Sequence, residues 1–336
     1  DKSLEVLFGK PRGKDEEPTQ KHIDLAASVQ AAFEDAEKHI LGYAKKMYPH
    51  INKLVVSGGC ALNVTANGKV LQNGFFEEII VPPAPHDAGC SIGAVLAYLS
   101  EYRKDIKIDR QSFKTPYLGA GFTDEEIYNC FVEMDLPVPQ RYEESELVSK
   151  LVDFLSEGEI ICWFQGKAEF GPRALGARSF LADPRNDEIR EKINQKIKKR
   201  ELFRPFAPSI ASEAGSVFFN IEQESPYMNI VANVKAHKKE IIPAVTHIDG
   251  TARVHTVTSE SNGLYHKLLS DFGVKTGVPV LLNTSFNIQE PIVYTPKQAI
   301  NTFLRSDVDV LAIGGFVCDL NWKKEIKSKE YEHINL

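Results

Sequence analysis

The sequence contains no Cys-x-x-Cys pair, no His-x-x-x-His pair and no Gly-x-x-x-x-Gly-Lys-[Ser/Thr] loop. Its five cysteines, Cys60, Cys90, Cys130, Cys162 and Cys318, are scattered and odd in number. That pattern excludes a disulfide framework or a zinc ribbon and fits reduced thiols in a cytoplasmic protein. The missing phosphate loop excludes a Walker A site, and Gly119-Ala120-Gly121 does not complete the Gly-x-Gly-x-x-Gly pattern of dinucleotide-binding folds. No apolar stretch reaches the length of a membrane span. The start, Asp1-Lys2-Ser3-Leu4, lacks signal-peptide architecture and an initiator Met, so a fragment or a processed product is expected.

What is present is the balance of an ordinary folded protein. The 336 residues are 43% hydrophobic and 26% charged, enough chain for two domains and a large buried core. The net charge of -6 argues against a general nucleic-acid binder. Residues 8–21 read as a loop. Leu25, Val29, Phe33, Ala36 and Ile40 recur every three or four residues and predict a helix over about 22–48, ended by Pro49. A strand at 53–56 runs into Ser57-Gly58-Gly59, and a helix is expected to begin near Cys60. Another strand, 78–81, stops at Pro82-Pro83, and a third helix follows Asp87-Ala88-Gly89 as far as Tyr102. This alternation suggests an α/β lobe with parallel strands. The polar stretch 103–117 divides the chain into expected domains 1–110 and 111–336. Beyond it, helices at 146–155 and 296–305 and strands at 159–164, 279–282 and 308–313 predict a second mixed domain. Asn186 is expected to cap a helix with Ile189, Ile193 and Ile197 on one face. The charged tail after Asn321 is expected to fray.

Four constellations carry candidate chemistry. In Ser57-Gly58-Gly59-Cys60-Ala61-Leu62-Asn63, glycines between a strand and a helix let a ligand approach the backbone and leave N–H groups for a phosphate. A ligand-free turn is an equal reading. In Pro85-His86-Asp87-Ala88-Gly89, Asp87 reads first as an N-cap. Its other reading is a carboxylate ligand of a divalent metal, which needs three or four ligands in all. Between Lys167 and Arg204 stand eleven Lys or Arg against six Asp or Glu. Arg173 lies between Pro172 and Ala174, and Arg204 between Phe203 and Pro205. Such rigid company suits guanidinium groups aimed at an anion better than a solvated run. Arg190, Lys192 and Lys196 read instead as a solvated helix face. Last, Leu282-Asn283-Thr284-Ser285-Phe286-Asn287 ends a buried strand with small polar side chains, as ligand contacts or as a turn. Arg253 and His255 alternate so as to share one strand face, as ligand contacts or as surface charges.

Three of these segments together resemble the carbamoyltransferases of the nodulation-protein (NodU) and antibiotic-tailoring type. They are Gly171-Pro172-Arg173-Ala174-Leu175-Gly176-Ala177-Arg178-Ser179, Phe203-Arg204-Pro205-Phe206-Ala207-Pro208-Ser209 and Asn283-Thr284-Ser285-Phe286-Asn287. Order and spacing match from about residue 20 to 320. The resemblance implies an α/β chain: the C-terminal lobe of an actin-like (ASKHA) ATPase domain followed by a YrdC-like α/β domain. It implies an O-carbamoyltransferase that joins carbamoyl phosphate and ATP, with Mg2+, into carbamoyl adenylate and pyrophosphate. The carbamoyl group then passes to a hydroxyl-bearing small-molecule acceptor. Carried onto this sequence, the resemblance makes Lys198, Arg173 and Arg204 catalytic cations and adds Arg253, Asn283 and Ser285 to their site. Gly58, Gly59 and Asn63 would contact the adenylate. Asp87 would be one ligand of Fe2+ or another divalent metal in the full-length N-terminal site. The first half of that domain, with its His-x-x-x-His pair, has no counterpart here. Transfer to an acceptor is therefore expected to be lost and adenylate formation kept. The alternatives are an enzyme like threonylcarbamoyl-AMP synthase and a non-catalytic nucleotide-binding module. Neither nucleic acid nor membrane is expected as a partner.

Overall fold

The computed structural model describes residues 2–13, 16–107 and 115–328. The chain divides into two compact units. The smaller unit comprises the chain up to Leu54 together with Lys69–Ile79. It contains helix α1 (Lys2–Phe8) and the long helix α2 (Gln20–Met47). Thr19 caps α2, its hydroxyl and N–H lying 3.0 and 3.1 Å from Nδ1 of His22. The predicted apolar repeat does form this helix, yet only Leu41 is buried, and Val29 and Ile40 remain exposed.

The larger unit holds Val55–Gly68 and the chain from Ile80 onward. β1 (Lys53–Val55) and β2 (Glu78–Ile80), most of whose residues are counted with the smaller unit, form a two-stranded sheet. The helix expected near Cys60 is instead a 3-10 turn, Gly59–Leu62. Helix α3 (Val64–Gln72) starts only after Asn63, because the Asn63 Oδ1 accepts the Ala66 N–H at 3.1 Å and so acts as its N-cap. Helix α4 (Cys90–Tyr102) follows the Asp87 turn as predicted.

The remaining elements are α5 (Asp124–Glu133), β3 (Gln140–Arg141), α6 (Glu144–Ser156), β4 (Ile161–Phe164), β5 (Arg178–Ala182) and α7 (Glu188–Glu191). They continue with β6 (Ala207–Ala211), α8 (Gly215–Phe218), β7 (Ile230–Asn233), β8 (Thr251–Val257), α9 (Gly263–Thr276) and β9 (Val280–Ser285). α10 (Pro296–Arg305), β10 (Val310–Ile313), β11 (Phe316–Cys318) and α11 (Leu320–Ser328) close the series. The strands from β3 onward form one mixed sheet in the order β3-β11-β10-β4-β5-β9-β6-β8-β7. β4 runs parallel to β10 and β6 parallel to β8, while β5 and β9 are antiparallel to each other and to their outer neighbours. The α/β reading therefore holds as a large mixed sheet.

α6 and α9 cover this sheet. Leu147, Val148, Leu151 and Leu155 of α6 meet Leu268, Leu269 and Phe272 of α9 over Ile161, Trp163, Leu181 and Leu281. The i, i+4 spacing of the α6 leucines makes that stripe, and each such side chain contributes roughly 1.5–3 kcal/mol on burial. The sheet order places β5, β9, β6 and β8 side by side, so Asn283 of β9 faces Leu181 of β5 and Ala207 of β6. Among the described residues no helix is long and apolar enough to cross a membrane.

Candidate functional site

The Gly171–Ser179 segment is a loop wound around a carboxylate. Oε1 of Glu169 accepts the backbone N–H groups of Leu175 (2.7 Å), Ala177 (2.7 Å) and Arg178 (3.2 Å). Gly171 has φ +122°, and a Cβ there would stand 2.4 Å from the carbonyl oxygen of Pro83. Arg178 is buried and stacks on the ring of Phe164 at 3.6 Å. Its guanidinium donates to the carbonyl oxygens of Gln165, Ala177, Ala120 and Gly166. Arg178 thus pins the loop, and Arg173 is left to face a cavity.

That cavity measures about 390 Å³. Arg173, Arg200, Arg204 and Arg253 line it, with His247 and with Asn283, Thr284 and Ser285 at the end of β9. Among the described residues that line it there is no Asp or Glu. Val64 and Thr65 add the N-terminal, dipole-positive end of α3. Burial, followed by repulsion from Arg173 and Arg200, pulls the Arg253 guanidinium down to about 9. Burial also lowers Arg173, and burial plus Arg204 lowers Arg200, an effect that Glu201 partly offsets. Arg204 is more exposed and pairs with Glu201 at 3.1 Å. The buried Nε atoms of Arg173 and Arg253 have no hydrogen-bond partner among the described residues. Buried donors of this kind are costly unless satisfied, and a polyanion in the cavity would satisfy them.

The structure therefore brings together Arg173, Arg204, Arg253, Asn283 and Ser285, all named from the sequence. Asn283 is held from behind: its Nδ2 donates to Ala174 O (3.1 Å) and to Ser209 Oγ (2.9 Å), and Ser209 Oγ lies 2.8 Å from Nδ1 of His255. Lys198 is close by but does not line the cavity. Its buried Nζ bonds Ser285 Oγ (3.1 Å), Asn287 O (2.8 Å), Asn287 Oδ1 (2.6 Å) and Ser285 O. Burial, with Arg200 adding, pulls it down to about 7. Lys198 thus ties down the end of β9.

Gly58, Gly59 and Asp87 lie outside this cavity. Gly58 and Gly59 are exposed with open space above them, Gly58 at φ +99°. Asn63 caps α3 directly before Val64. Asp87 is exposed in the 3-10 turn Asp87–Gly89. No group of three or more His, Cys, Asp and Glu residues stands together among the described residues. Asp87 and His86 are too few donors for a metal centre, so the residues present do not fit one.

Sequence reading missed Arg200 and His247. Arg200 was hidden in the run Lys198-Lys199-Arg200, where charge alone does not tell which side chain turns inward. Lys196 of the expected solvated face is exposed, whereas Lys192 is partly buried and pairs with Asp309 at 2.9 Å.

His255 gives the site a pH signature. Burial pushes its imidazole down to about 3. Between pH 6.5 and that value the unfolded chain binds a proton that the folded chain refuses. Stability is therefore complete above pH 6.5 and falls as pH drops below it, by roughly 1.4 kcal/mol per pH unit from this residue. Urea unfolding of wild type and His255→Gln at pH 6.5 and 5 checks this: the variant should show the shallower decline.

Two family models match the chain: Carbamoyltransferase C-terminus over residues 152–319 and Carbamoyltransferase N-terminus over residues 1–96. The nodulation protein NolNO of Sinorhizobium fredii is 41% identical over 307 residues, covering 89% of this chain and 44% of the relative. NolO of Bradyrhizobium diazoefficiens is 41% identical over 307 residues, covering 89% and 55%. The 3'-hydroxymethylcephem-O-carbamoyltransferase of Streptomyces clavuligerus is 36% identical over 245 residues, covering 73% and 44%. The chain thus spans about half the length of these relatives. The C-terminal match includes every arginine of the cavity and the Asn283 strand, and the chain belongs to the carbamoyltransferase family.

Proposed function

We propose that the arginine cavity binds the phosphate groups of carbamoyl phosphate and ATP and forms carbamoyl adenylate, the activating half of an O-carbamoyl transfer. The observation that carries this reading is the convergence of Arg173, Arg200, Arg204 and Arg253 on a cavity whose lining holds no carboxylate. Carbamoyl phosphate first loses its phosphoryl group to water, giving carbamate and inorganic phosphate. A carbamate oxygen then attacks the α-phosphorus of ATP. The bond from that phosphorus to the bridging oxygen breaks, and pyrophosphate leaves. The guanidinium groups neutralise the phosphates and the charge that grows on the leaving group. Ser285 and Asn283 present polar atoms at the end of β9, and Lys198 holds that strand end in place. Mg2+ enters as the partner of ATP.

Delivery to an acceptor hydroxyl belongs to the complete enzyme in this reading. Gly58 and Gly59 leave the backbone open to a ligand there, and Asn63 orders the adjoining turn. No metal is placed at Asp87, because Asp87 and His86 are too few donors among the described residues.

The test is pyrophosphate release by the purified chain given carbamoyl phosphate, ATP and Mg2+. Release that needs both substrates is the expected result. Release only with threonine and bicarbonate favours a threonylcarbamoyl-AMP synthase activity, and ATP binding without turnover leaves a nucleotide-binding module.

A further inference from the structure

We infer that Asn194 is a positioning residue that turns Arg200 and Arg204 together toward one anion; the inference rests on the anion-binding reading of the cavity. α7 runs directly into a π-helical turn, Lys192–Ile197, where the Lys198 N–H bonds Ile193 O at 2.8 Å across five residues. Turns of this kind are uncommon and cluster at functional sites. Ile193 and Ile197 anchor the turn in the core, and Asn194 is fully buried between them. Lys199 then takes φ +48°, a left-handed backbone that a lysine adopts only at a cost, and reverses the chain into the 199–204 loop.

The Asn194 amide occupies the inside of that loop. Its Nδ2 donates to Leu202 O (3.3 Å) and Arg204 O (3.0 Å). Its Oδ1 accepts from Arg200 Nε at 2.7 Å. Its main-chain carbonyl accepts the Arg200 N–H at 3.0 Å. One side chain therefore fixes the guanidinium of Arg200 and the backbone that carries Arg204. The work is needed because the two arginines repel each other: Arg204 depresses the ionisation of Arg200 next after burial itself. The Arg200 guanidinium alone would gain hydration by swinging outward, while Arg204 is already more exposed and pairs with Glu201 at 3.1 Å. Only an amide of this length offers both donors and an acceptor here. An aspartate keeps the acceptor but turns a charged oxygen toward two carbonyl oxygens, and an alanine keeps nothing.

The test is a mutant cycle read by calorimetric titration of the full chain with inorganic pyrophosphate. Asn194→Asp should weaken binding about tenfold in wild type, the scale of losing a charge-assisted contact. In an Arg200→Ala/Arg204→Ala background the same change should alter affinity by less than about twofold. An equal loss in both backgrounds, or no loss in wild type, overturns the inference and leaves Asn194 a structural residue. If Asn194→Asp does not fold, Asn194→Ala completes the same cycle. Wild type that binds no pyrophosphate overturns the anion reading itself. The Arg200 Nε–H resonance then judges positioning separately: protection in wild type that is lost in the Asn194 variant supports it, and an unchanged resonance sinks it.

Discussion

Arg253→Met is expected to raise the unfolding temperature of this chain while weakening its hold on pyrophosphate by about a hundredfold. Both effects have one cause. Arg253 sits on β8 with Arg173 and Arg200 as like-charged neighbours, and burial with that repulsion pulls it down to about 9. Its Nε is buried without a hydrogen-bond partner among the described residues. The folded state therefore bears a desolvated cation that no carboxylate in the cavity lining offsets. Methionine keeps a comparable length of apolar stem and adapts to an irregular space. Replacing a buried ion pair with apolar residues of similar volume is neutral or stabilises by roughly 1–4 kcal/mol, and a buried cation with no carboxylate beside it carries the same desolvation cost with less to offset it. At this chain length each kcal/mol moves the melting point by about 1–2 °C. The ligand gains what the empty fold forgoes, since a phosphate bound to the wild type meets a guanidinium already stripped of water. Scanning calorimetry and pyrophosphate titration of the same samples check the pair of outcomes. A lower melting point with unchanged binding would show that Arg253 holds the sheet and does not serve the cavity.

Gly176→Ala should cost roughly 3–5 kcal/mol, from left-handed backbone strain added to overpacking of the core. Gly176 has φ +89°, and its Cβ would stand 2.1 Å from Cδ1 and 2.4 Å from Cε1 of Tyr265. That ring has nowhere to go, being fully buried between Trp163 and His255. The backbone is equally held. The Gly176 carbonyl accepts from Trp163 Nε1 (2.8 Å) and Asn262 Nδ2 (3.2 Å), and its N–H meets Ser179 Oγ at 3.1 Å. The variant should unfold at much lower denaturant or fail to accumulate as soluble protein. Gly59→Ala is the control, because nothing lies within 4 Å of its added Cβ and its φ is unremarkable. It should change stability by less than about 0.5 kcal/mol. Equal stability of both variants would refute the steric account of the Gly171–Ser179 loop.

Legibility in the sequence followed the physics of each element. α10 was read at its true bounds because Thr295, Pro296 and Gln298 build a capping box ahead of an apolar face. β4 and β10 were found as short apolar runs. β5 and β6 were not, because Arg178-Ser179 opens one and Pro208-Ser209 interrupts the other, so neither shows the continuous apolar run of a buried strand. The helix expected near Cys60 failed for a local reason. Asn63 caps the helix, so the backbone before it turns as 3-10.

By itself the sequence determined the mixed α and β character and the family motifs, since residue type and spacing carry that information, and the resemblance those motifs bear grouped Arg173, Arg204, Arg253, Asn283 and Ser285. Only the tertiary structure decided which cations face the cavity. Arg178 and Lys198 turn away to satisfy carbonyl and side-chain oxygens, whereas Arg200 turns in because Asn194 and the left-handed Lys199 aim it there. Charge is written in the chain, but its direction is set by hydrogen bonds to residues distant in sequence or hidden inside a turn.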